Sequence, residues 1–242
     1  MSTETNPAIL KLARGADLSQ ADKSRLEQAM FKVRELPARV DVIGEGDRPE
    51  DVHIVLEGFA FRYKVLPDGS RQIMALLVPG DFCDLHVAIL GAMDHSIGTL
   101  SACRMAFVSS AEIAKITDDE GGPLNRALWW ATLVDEGILR EWMVGMGRRQ
   151  ADKQIAHLFC ELLHRLRVVG LADGNRFDFP VSQEALADIV GMSTVHVNRV
   201  LQQLRQDGLI TLEDRVLTVL DEERLAAFGD FNPNYLHLTR RS

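Results

Sequence analysis

The sequence predicts an α+β protein in which an antiparallel β domain, a long helix and a winged helix-turn-helix follow one another along the chain. Three observations predict this order. Short β-branched runs separated by turn residues fill about 35–111, an apolar stripe at helical spacing crosses 112–147, and two short helical patterns flank a glycine within 181–206. A chain of 242 residues suits two domains, which we place at 1–147 and 148–242.

The composition is that of an ordinary soluble protein, with 46% hydrophobic and 26% charged residues. No apolar run approaches the roughly 20 residues that cross a bilayer, and the first residues lack the basic-then-apolar order of a secretory signal. We therefore expect a cytoplasmic protein without a membrane partner. Three widely spaced cysteines, Cys83, Cys103 and Cys160, indicate reduced thiols rather than disulfides.

The N-terminal part begins with a predicted helix from about Ser19 to Arg34, capped by Ser19 with Asp22. The β-branched runs that follow are short and regularly spaced, and Pro-Asp-Gly at 67–69 forms a hairpin turn between two of them. Runs of this kind are typical of an antiparallel barrel or sandwich.

A single long helix is predicted over about 112–147. Its apolar surface is broader than one packing contact requires, which indicates a dimer interface. The alternative is that the helix packs only against its own β domain. The residues expected at the interface are Leu124, Leu128, Ala131, Ile138 and Trp142.

The segment 181–206 predicts a helix-turn-helix. Gly191 can take the positive φ that ends the first helix, and Ser193 can cap the second. Two β-rich runs, 209–212 and 216–219, follow as a hairpin, which would be the wing. The alternative is an αα-corner whose polar face only meets water, and the wing argues against it.

The outward face of the second helix carries side chains suited to base edges and phosphates, and it has no acidic residue between Ser193 and Gln206. The net charge of −8 lies mostly in the first 147 residues, which carry −7, so the second part can present a local positive face. The residues expected to contact DNA are Ser193, Thr194, Val195, His196, Asn198, Arg199 and Gln202.

The order of these elements resembles the bacterial transcription factors of the cyclic-AMP receptor and fumarate-nitrate regulator (Crp/Fnr) family. The resemblance covers about 18–228, and its most specific parts are Pro-Gly-Asp-Phe at 79–82 and the helix-turn-helix at 181–206. It implies a cyclic-nucleotide-binding-like β-roll, a dimerisation helix and a homodimeric regulator whose DNA affinity is gated by a signal sensed in the β-roll. RNA polymerase is then an expected partner.

The resemblance also implies that the protein is not an enzyme. The sequence has no Gly-rich phosphate loop, no His-Glu-x-x-His and no Gly-x-Ser-x-Gly. A competing interpretation is a ligand-binding module whose winged helix binds another protein instead of DNA.

The positions that bind cyclic AMP in the family differ here. Counting from Phe82, the ribose-binding Glu of the family falls on Leu85 and its Arg-Ser pair falls on His95 and Ser96. A leucine cannot accept a ribose hydroxyl, and a histidine is a poorer phosphate partner than a guanidinium. Cyclic AMP is therefore not expected, and the effector stays open. The candidate pocket residues are Asp84, Leu85, His95 and Ser96.

The iron-sulfur branch of the family needs four thiolate ligands, and three cysteines in one chain cannot supply them, so a cluster is not expected. Cys83, Asp84, His86 and His95 form a local group that is compatible with a metal or haem. The alternative is a packed thiol beside two surface histidines. We assign no metal ligand from the sequence, and a redox role for Cys83 stays open.

The resemblance implies that two recognition helices read successive major grooves of an inverted-repeat operator, with half-sites about 34 Å apart. Arg199 stands at the position of the arginine that family members direct at a guanine. Asn198 suits adenine and Val195 suits a thymine methyl. Many relatives carry a Glu at the Val195 position, so we expect a different operator sequence.

Overall fold

The computed structural model describes residues 5–238. The element order confirms the predicted α+β architecture, with an N-terminal β-roll, a long helix and a winged helix-turn-helix. The helices are α1 (Pro7–Leu12), α2 (Gln20–Ala29), α3 (Val87–Leu90), α4 (Ser110–Thr117), α5 (Pro123–Arg148), α6 (Ala151–Val168), α7 (Gln183–Val190), α8 (Thr194–Gln206) and α9 (Glu222–Phe228), followed by a 3₁₀ helix (Pro233–Leu236). The strands are β1 (Lys32–Leu36), β2 (Asp41–Ile43), β3 (Asp51–Glu57), β4 (Ala60–Val65), β5 (Arg71–Leu77), β6 (Ser96–Thr99), β7 (Cys103–Ser109), β8 (Ala172–Asp173), β9 (Arg176–Asp178), β10 (Ile210–Glu213) and β11 (Val216–Val219).

The β-roll consists of two antiparallel sheets, in the strand orders β1-β7-β3 and β2-β6-β4-β5. The predicted turn at 67–69 joins β4 to β5, and the amide of Leu66 donates to the carbonyl of Ser70 over 2.8 Å. Gly69 takes a φ of +83° there, a conformation that glycine adopts without a Cβ penalty. Apolar side chains from both sheets form the core of the roll, which α1, α2 and α4 cover.

The N-terminal helix is shorter than predicted. Helix α2 ends at Ala29, so the prediction of helix up to Arg34 is wrong in its last turn. The residues after it, Lys32–Leu36, pair antiparallel with β7 instead, because strand pairing places them on the edge of a sheet. The Ser19 and Asp22 capping box is confirmed. Helix α1, which begins at Pro7, was not predicted.

The long helix over 112–147 is also corrected, because it is two helices. Helix α4 ends at Thr117 and α5 begins at Pro123. Between them Gly121 takes a φ of +85°, and Gly122 is the N-cap of α5 in an extended conformation. Proline at the first helical position suits a helix start, since its missing amide would be unpaired there in any case.

The apolar stripe that was expected at a dimer interface lies inside the chain's own core. Its five residues are only 3–8% exposed, so the assignment of these side chains to an interface is wrong for this chain. The first three pack against the β-roll core, and the last two pack in the core shared with the C-terminal half. These residues are Leu124, Leu128, Ala131, Ile138 and Trp142.

The opposite face of α5 also carries large apolar side chains, and they are open to solvent. Trp129, Leu133, Met143 and Val144 are 61%, 53%, 62% and 49% exposed. With 3.6 residues per turn, these four lie on one side of the helix, about half a turn away from the buried stripe. Helix α5 therefore carries large apolar side chains on two faces, of which one is covered.

The C-terminal half packs around α6, which is buried along most of its length. Strands β10-β11-β9-β8 form its sheet, and α7, α8 and α9 surround α6. The carboxylate of buried Glu161 on α6 accepts hydrogen bonds from the indole of Trp142 over 3.1 Å and the hydroxyl of Tyr235 over 2.9 Å. Those bonds explain why Trp142 faces inward, since a buried indole N–H needs an acceptor.

A buried charge network connects the two halves. Asp81, in the Pro-Gly-Asp-Phe turn, contacts Lys11 of α1 over 2.6 Å and Arg165 of α6 over 2.5 Å. Arg165 also donates to the carbonyl of Leu76 over 2.8 Å. Burial alone would raise the pKa of the Asp81 carboxyl, but the two cations and the amide of Val78 lower it.

No helix among residues 5–238 is both long and apolar enough to cross a membrane.

We predict that Asp81→Ala lowers the free energy of unfolding by about 3–5 kcal/mol at pH 7, because it leaves the buried Arg165 without this carboxylate. The measurement is urea-induced unfolding followed by circular dichroism. Since the pKa of Asp81 is lowered, its stabilisation is present above the ordinary aspartate pKa and is lost as the pH falls through the lowered value. The difference between variant and wild type should therefore shrink in acid.

The matched control is Lys153→Ala, which breaks an ion pair with Asp230 that lies largely in solvent. Its unfolding midpoint should stay close to that of the wild type, because screened surface pairs contribute little. Equal effects of the two variants would contradict the importance assigned to the buried network.

Candidate nucleic-acid interface

The helix-turn-helix forms as predicted, with α7 and α8 packed on α6. Gly191 follows α7 with a φ of +67°, and its amide donates to the carbonyl of Ala187. Ser193 is the N-cap of α8, and its hydroxyl accepts from the amide of His196 over 3.3 Å. Buried aliphatic side chains from Val197 to Leu204 hold α8 against the domain core. The turn geometry thus presents the other face of α8 outward.

The outward face of α8 carries the residues predicted to contact DNA. All seven lie on one exposed surface, except that His196 is half-buried. Val195 is 79% exposed, so its apolar side chain is available for a contact outside the chain. The residues are Ser193, Thr194, Val195, His196, Asn198, Arg199 and Gln202. Their contact with DNA stays a prediction.

Two of these side chains are preoriented by neighbours within the motif. The guanidinium of Arg199 donates to Nδ1 of His196 over 2.6 Å, and the amide of Asn198 donates to Oε1 of Gln183 over 3.1 Å. The Arg199 bond requires His196 to accept at Nδ1. Both bonds lie at the surface, so base edges can replace them at small cost.

The wing is a two-residue hairpin between β10 and β11. Asp214 and Arg215 at its tip have φ values of +49° and +63°. Positive φ at both central positions is the type I′ geometry, which matches the twist of a tight hairpin and usually selects Asn or Gly. Holding an arginine in that conformation costs free energy, and it places a cation at the tip of the wing.

The C-terminal half is docked on the β-roll by a contact that the sequence did not reveal. Gln72 of β5 donates to the carbonyl oxygens of Asp188 over 2.9 Å and of Ile189 over 3.3 Å, near the end of α7. Arg71 pairs with the Asp188 carboxylate over 2.7 Å. A cleft of about 860 Å³ beside this contact separates the β-roll from α7 and the wing, and Arg71, Arg205 and Arg215 line it.

The four candidate effector residues do not form one pocket wall. Asp84 is fully buried, and its carboxylate holds the amide of His53 over 2.7 Å and the imidazole of His53 over 2.6 Å. Leu85 packs against the β-roll core. Ser96 accepts from the amide of Glu45 over 2.9 Å. Only His95 keeps a buried polar atom, Nε2, without a hydrogen-bond partner among the described residues.

Arg62 of β4 is a residue that sequence reasoning missed. Its guanidinium donates to the carbonyl oxygens of Phe82 and Cys83 over 2.8 Å each, and it pairs with the carboxylate of Asp135 on α5. Burial alone would lower the pKa of Arg62, but the pairing with Asp135 raises it. Arg62 therefore joins β4, the Pro-Gly-Asp-Phe turn and the long helix.

All three cysteines are buried thiols, as the composition indicates. Burial raises the pKa of Cys83 well above its usual value, raises that of Cys103 to about 11 and raises that of Cys160 to about 12. A thiol reacts as its thiolate, so these positions disfavour oxidation at neutral pH. Among residues 5–238, Cys83 and Asp84 do not join His86 and His95 in one metal-binding group, because Cys83 is buried and Asp84 binds His53.

A β-roll followed by a long helix and by a winged helix with an exposed recognition face defines a DNA-binding regulator. Residues 153–228 match the Crp-like helix-turn-helix domain, and residues 33–120 match the cyclic nucleotide-binding domain. The chain is 32% identical over 205 residues to the transcriptional activator protein FnrL of Cereibacter sphaeroides, covering 83% of this chain and 81% of FnrL. The chain belongs to the Crp/Fnr family of transcriptional regulators.

Two further relatives and one solved structure are similar to this chain over most of its length. The nitrogen fixation regulation protein FixK of Bradyrhizobium diazoefficiens is 29% identical over 189 residues, 78% of either chain. The transcriptional activatory protein AadR of Rhodopseudomonas palustris is 27% identical over 228 residues, covering 93% of this chain and 92% of AadR. The solved structure of FixK2 from Bradyrhizobium japonicum has the same fold, with a TM-score of 0.71 at 24% identity over 81% of this chain and 96% of FixK2.

We predict that Gly191→Ala destabilises the protein by about 1–2 kcal/mol, because alanine is strained at the positive φ between α7 and α8. A Cβ there meets only Gln72 Oε1 at 4.0 Å, so the strain comes from the backbone rather than from a clash. Thermal unfolding measures the change. The control Gly147→Ala, within α5 and with open space around its Cβ, should instead stabilise by about 0.5–1 kcal/mol. Effects of the same sign in both variants would contradict this account of the turn.

Proposed function

We propose that this protein is a homodimeric, sequence-specific DNA-binding regulator whose operator affinity depends on a signal sensed in the β-roll. The observation that carries the proposal is the exposed, acid-free face of α8, which presents Arg199, Asn198 and Val195 together. A cytoplasmic protein with RNA polymerase as a further partner fits this role. The relatives named above are transcriptional activators or regulators, which supports the same class of function.

On the operator, Arg199 would form a bidentate contact with a guanine, the commonest specific base contact of arginine. Asn198 would read an adenine, and the exposed Val195 would meet a thymine methyl. Ser193 and Thr194 lie at the N-terminus of α8, where amide groups and hydroxyls suit a phosphate. His196 and Gln202 complete the contact face. The operator would be an inverted repeat with half-sites about 34 Å apart.

Dimerisation would use the exposed face of α5. Trp129, Leu133, Glu136, Arg140 and Met143 follow one another at intervals of four and three residues, the spacing of a coiled-coil seam. Three of the five are apolar and more than half exposed. Pairing this seam with the same seam of a second copy would remove from water the largest apolar side chains that α5 leaves uncovered.

Gating would pass through the β4–β5 hairpin. Arg62 of β4 contacts the turn at Phe82 and Cys83 and the long helix at Asp135, while Gln72 of β5 contacts the end of α7. A ligand that moves this hairpin would change the pose of α7 and α8 relative to the dimer helix. The effector itself stays open, and cyclic AMP fits poorly because Leu85 and His95 replace the family's contact residues.

We predict that Arg199→Ala weakens operator binding by about 1–3 kcal/mol, because it removes a bidentate base contact. The operator is first recovered by selecting DNA from a random pool with the full chain, and affinity is then measured by fluorescence anisotropy at fixed salt. Arg199→Lys keeps the charge but loses the planar fork, so it should discriminate poorly between the selected site and a scrambled one.

The matched control is Arg48→Ala, an exposed arginine in the loop between β2 and β3. It makes the same charge change far from α8 and should leave operator affinity unchanged. Failure to select any DNA sequence would contradict the proposed function, and equal affinities for wild type and Arg199→Ala would contradict the role of this side chain.

We predict that Leu133→Glu and Met143→Glu each shift the protein towards the monomer, because a carboxylate would be buried in the seam without a partner. Sedimentation equilibrium should give a dimer dissociation constant raised by more than about tenfold, which is about 1.4 kcal/mol. The control is Leu220→Glu, an exposed leucine outside α5. A seam variant that stays as dimeric as this control would show that the interface lies elsewhere.

A further inference from the structure

The loop between β5 and β6 brings two histidines and an aspartate together on either side of α3. His86 is the N-cap residue of α3, and Asp94 and His95 follow shortly after the helix ends at Leu90. The loop is anchored by Met93, which is 3% exposed and whose backbone bonds to Asp47 and Gly46 over 2.9 and 2.8 Å. These bonds hold the backbone next to Asp94 and His95 in place.

One ligand atom from each of His86, Asp94 and His95 lies within 4.8 Å of the other two. The Asp94 Oδ1 atom accepts a hydrogen bond from Nδ1 of His95 over 2.7 Å, which leaves Nε2 of His95 as the nitrogen that can bind an ion, and it is 3.8 Å from Nε2 of His86. The longer distance exceeds a hydrogen bond. It is close to the roughly 3.3 Å that separates two ligands held at about 2.0–2.1 Å by a tetrahedral ion. Asp94 is largely exposed, so its carboxylate is free to close the remaining gap.

The histidines also carry unsatisfied atoms. The Nε2 atoms of His86 and His95 are buried and have no hydrogen-bond partner among residues 5–238. The side chain of His95 is only 10% exposed, so its ring is held inside the loop. A buried imidazole nitrogen without a partner costs free energy. A bound cation would give these two Nε2 atoms the partner that they lack among residues 5–238.

The charges around the two rings are mixed. Burial lowers the pKa of both imidazoles, and the positive charge of the Arg62 guanidinium lowers it further. The same charge disfavours a nearby cation, but Arg62 is already paired with Asp135. The negative charges of Asp94 and Asp84 favour a cation near His86 and oppose the effect of Arg62. The local field therefore does not exclude a cation at His86 and His95.

We propose that His86, Asp94 and His95 form a binding site for a divalent first-row transition-metal ion, with water completing its coordination. Two imidazoles and one carboxylate select such ions over Mg²⁺ and Ca²⁺, which prefer oxygen ligands. The site uses neither Cys83 nor the DNA-reading surface. It therefore stands or falls independently of the proposed regulatory function.

The test uses the tag-free full chain, stripped with a chelator and dialysed. Co²⁺ is titrated while visible absorbance is recorded, since ligand-field bands report inner-sphere nitrogen and oxygen ligands, and Zn²⁺ is then added as a competitor in calorimetry. We expect one ion per chain and a raised melting temperature with Zn²⁺. No bands and no heat with the wild-type chain, at metal concentrations well above that of the protein, would overturn the proposal.

The variants decide which residues bind. His86→Ala and His95→Gln should each weaken Zn²⁺ binding by more than about tenfold, and Asp94→Asn should weaken it by about tenfold. His237→Ala, an exposed histidine in the C-terminal part, is the matched control and should bind as the wild type does. Circular dichroism of each variant checks folding. Unchanged affinity in folded His86→Ala would overturn the assignment.

Discussion

The carboxylate of Asp81 is the point at which the two halves of the chain are joined. It is buried, and it is paired with Lys11 from the first helix and Arg165 from α6. A buried carboxylate without cations is costly, so the turn, α1 and α6 must assemble together. Glu161 supplies Arg165 with a second carboxylate at 2.8 Å, which fixes the guanidinium from the other side. Helix α6, which begins the C-terminal half, is therefore attached to the β-roll through a buried network of ion pairs.

Helix α5 shows where sequence patterns stop being sufficient. An apolar stripe at helical spacing predicts that a face is buried, and the stripe that ends at Trp142 is buried as expected. The pattern does not say whether the covering atoms belong to the same chain or to another. Helix α5 spans two cores of its own chain, so the stripe is covered by atoms of the same chain. The other apolar side chains, among them Trp129 and Leu133, are left exposed.

The features predicted well depend on short-range signals. Gly191, Ser193 and the absence of acids along α8 are readable within one segment, and the structure forms the turn, the cap and the exposed face there. The contacts that were missed join distant segments. Asp84 turns towards His53, 31 residues earlier, and Gln72 meets α7, 116 residues later. No local pattern marks such pairs, since each partner alone looks like an ordinary polar residue.

Besides the apolar core that the halves share, two polar contacts join them, and the difference in strength between these two bears on how the proposed switch would work. The Asp81–Arg165 pair is buried, whereas Arg71 and Asp188 are partly exposed, and a pair of that kind contributes at most about 1 kcal/mol. Gln72 adds neutral hydrogen bonds of about 1 kcal/mol each to the end of α7. Breaking the contacts of Arg71 and Gln72 is within the differential binding energy of a small ligand, while breaking the Asp81 network is not. A change in pose would thus keep α6 anchored at Arg165 and release α7 from β5, opening or closing the cleft beside them.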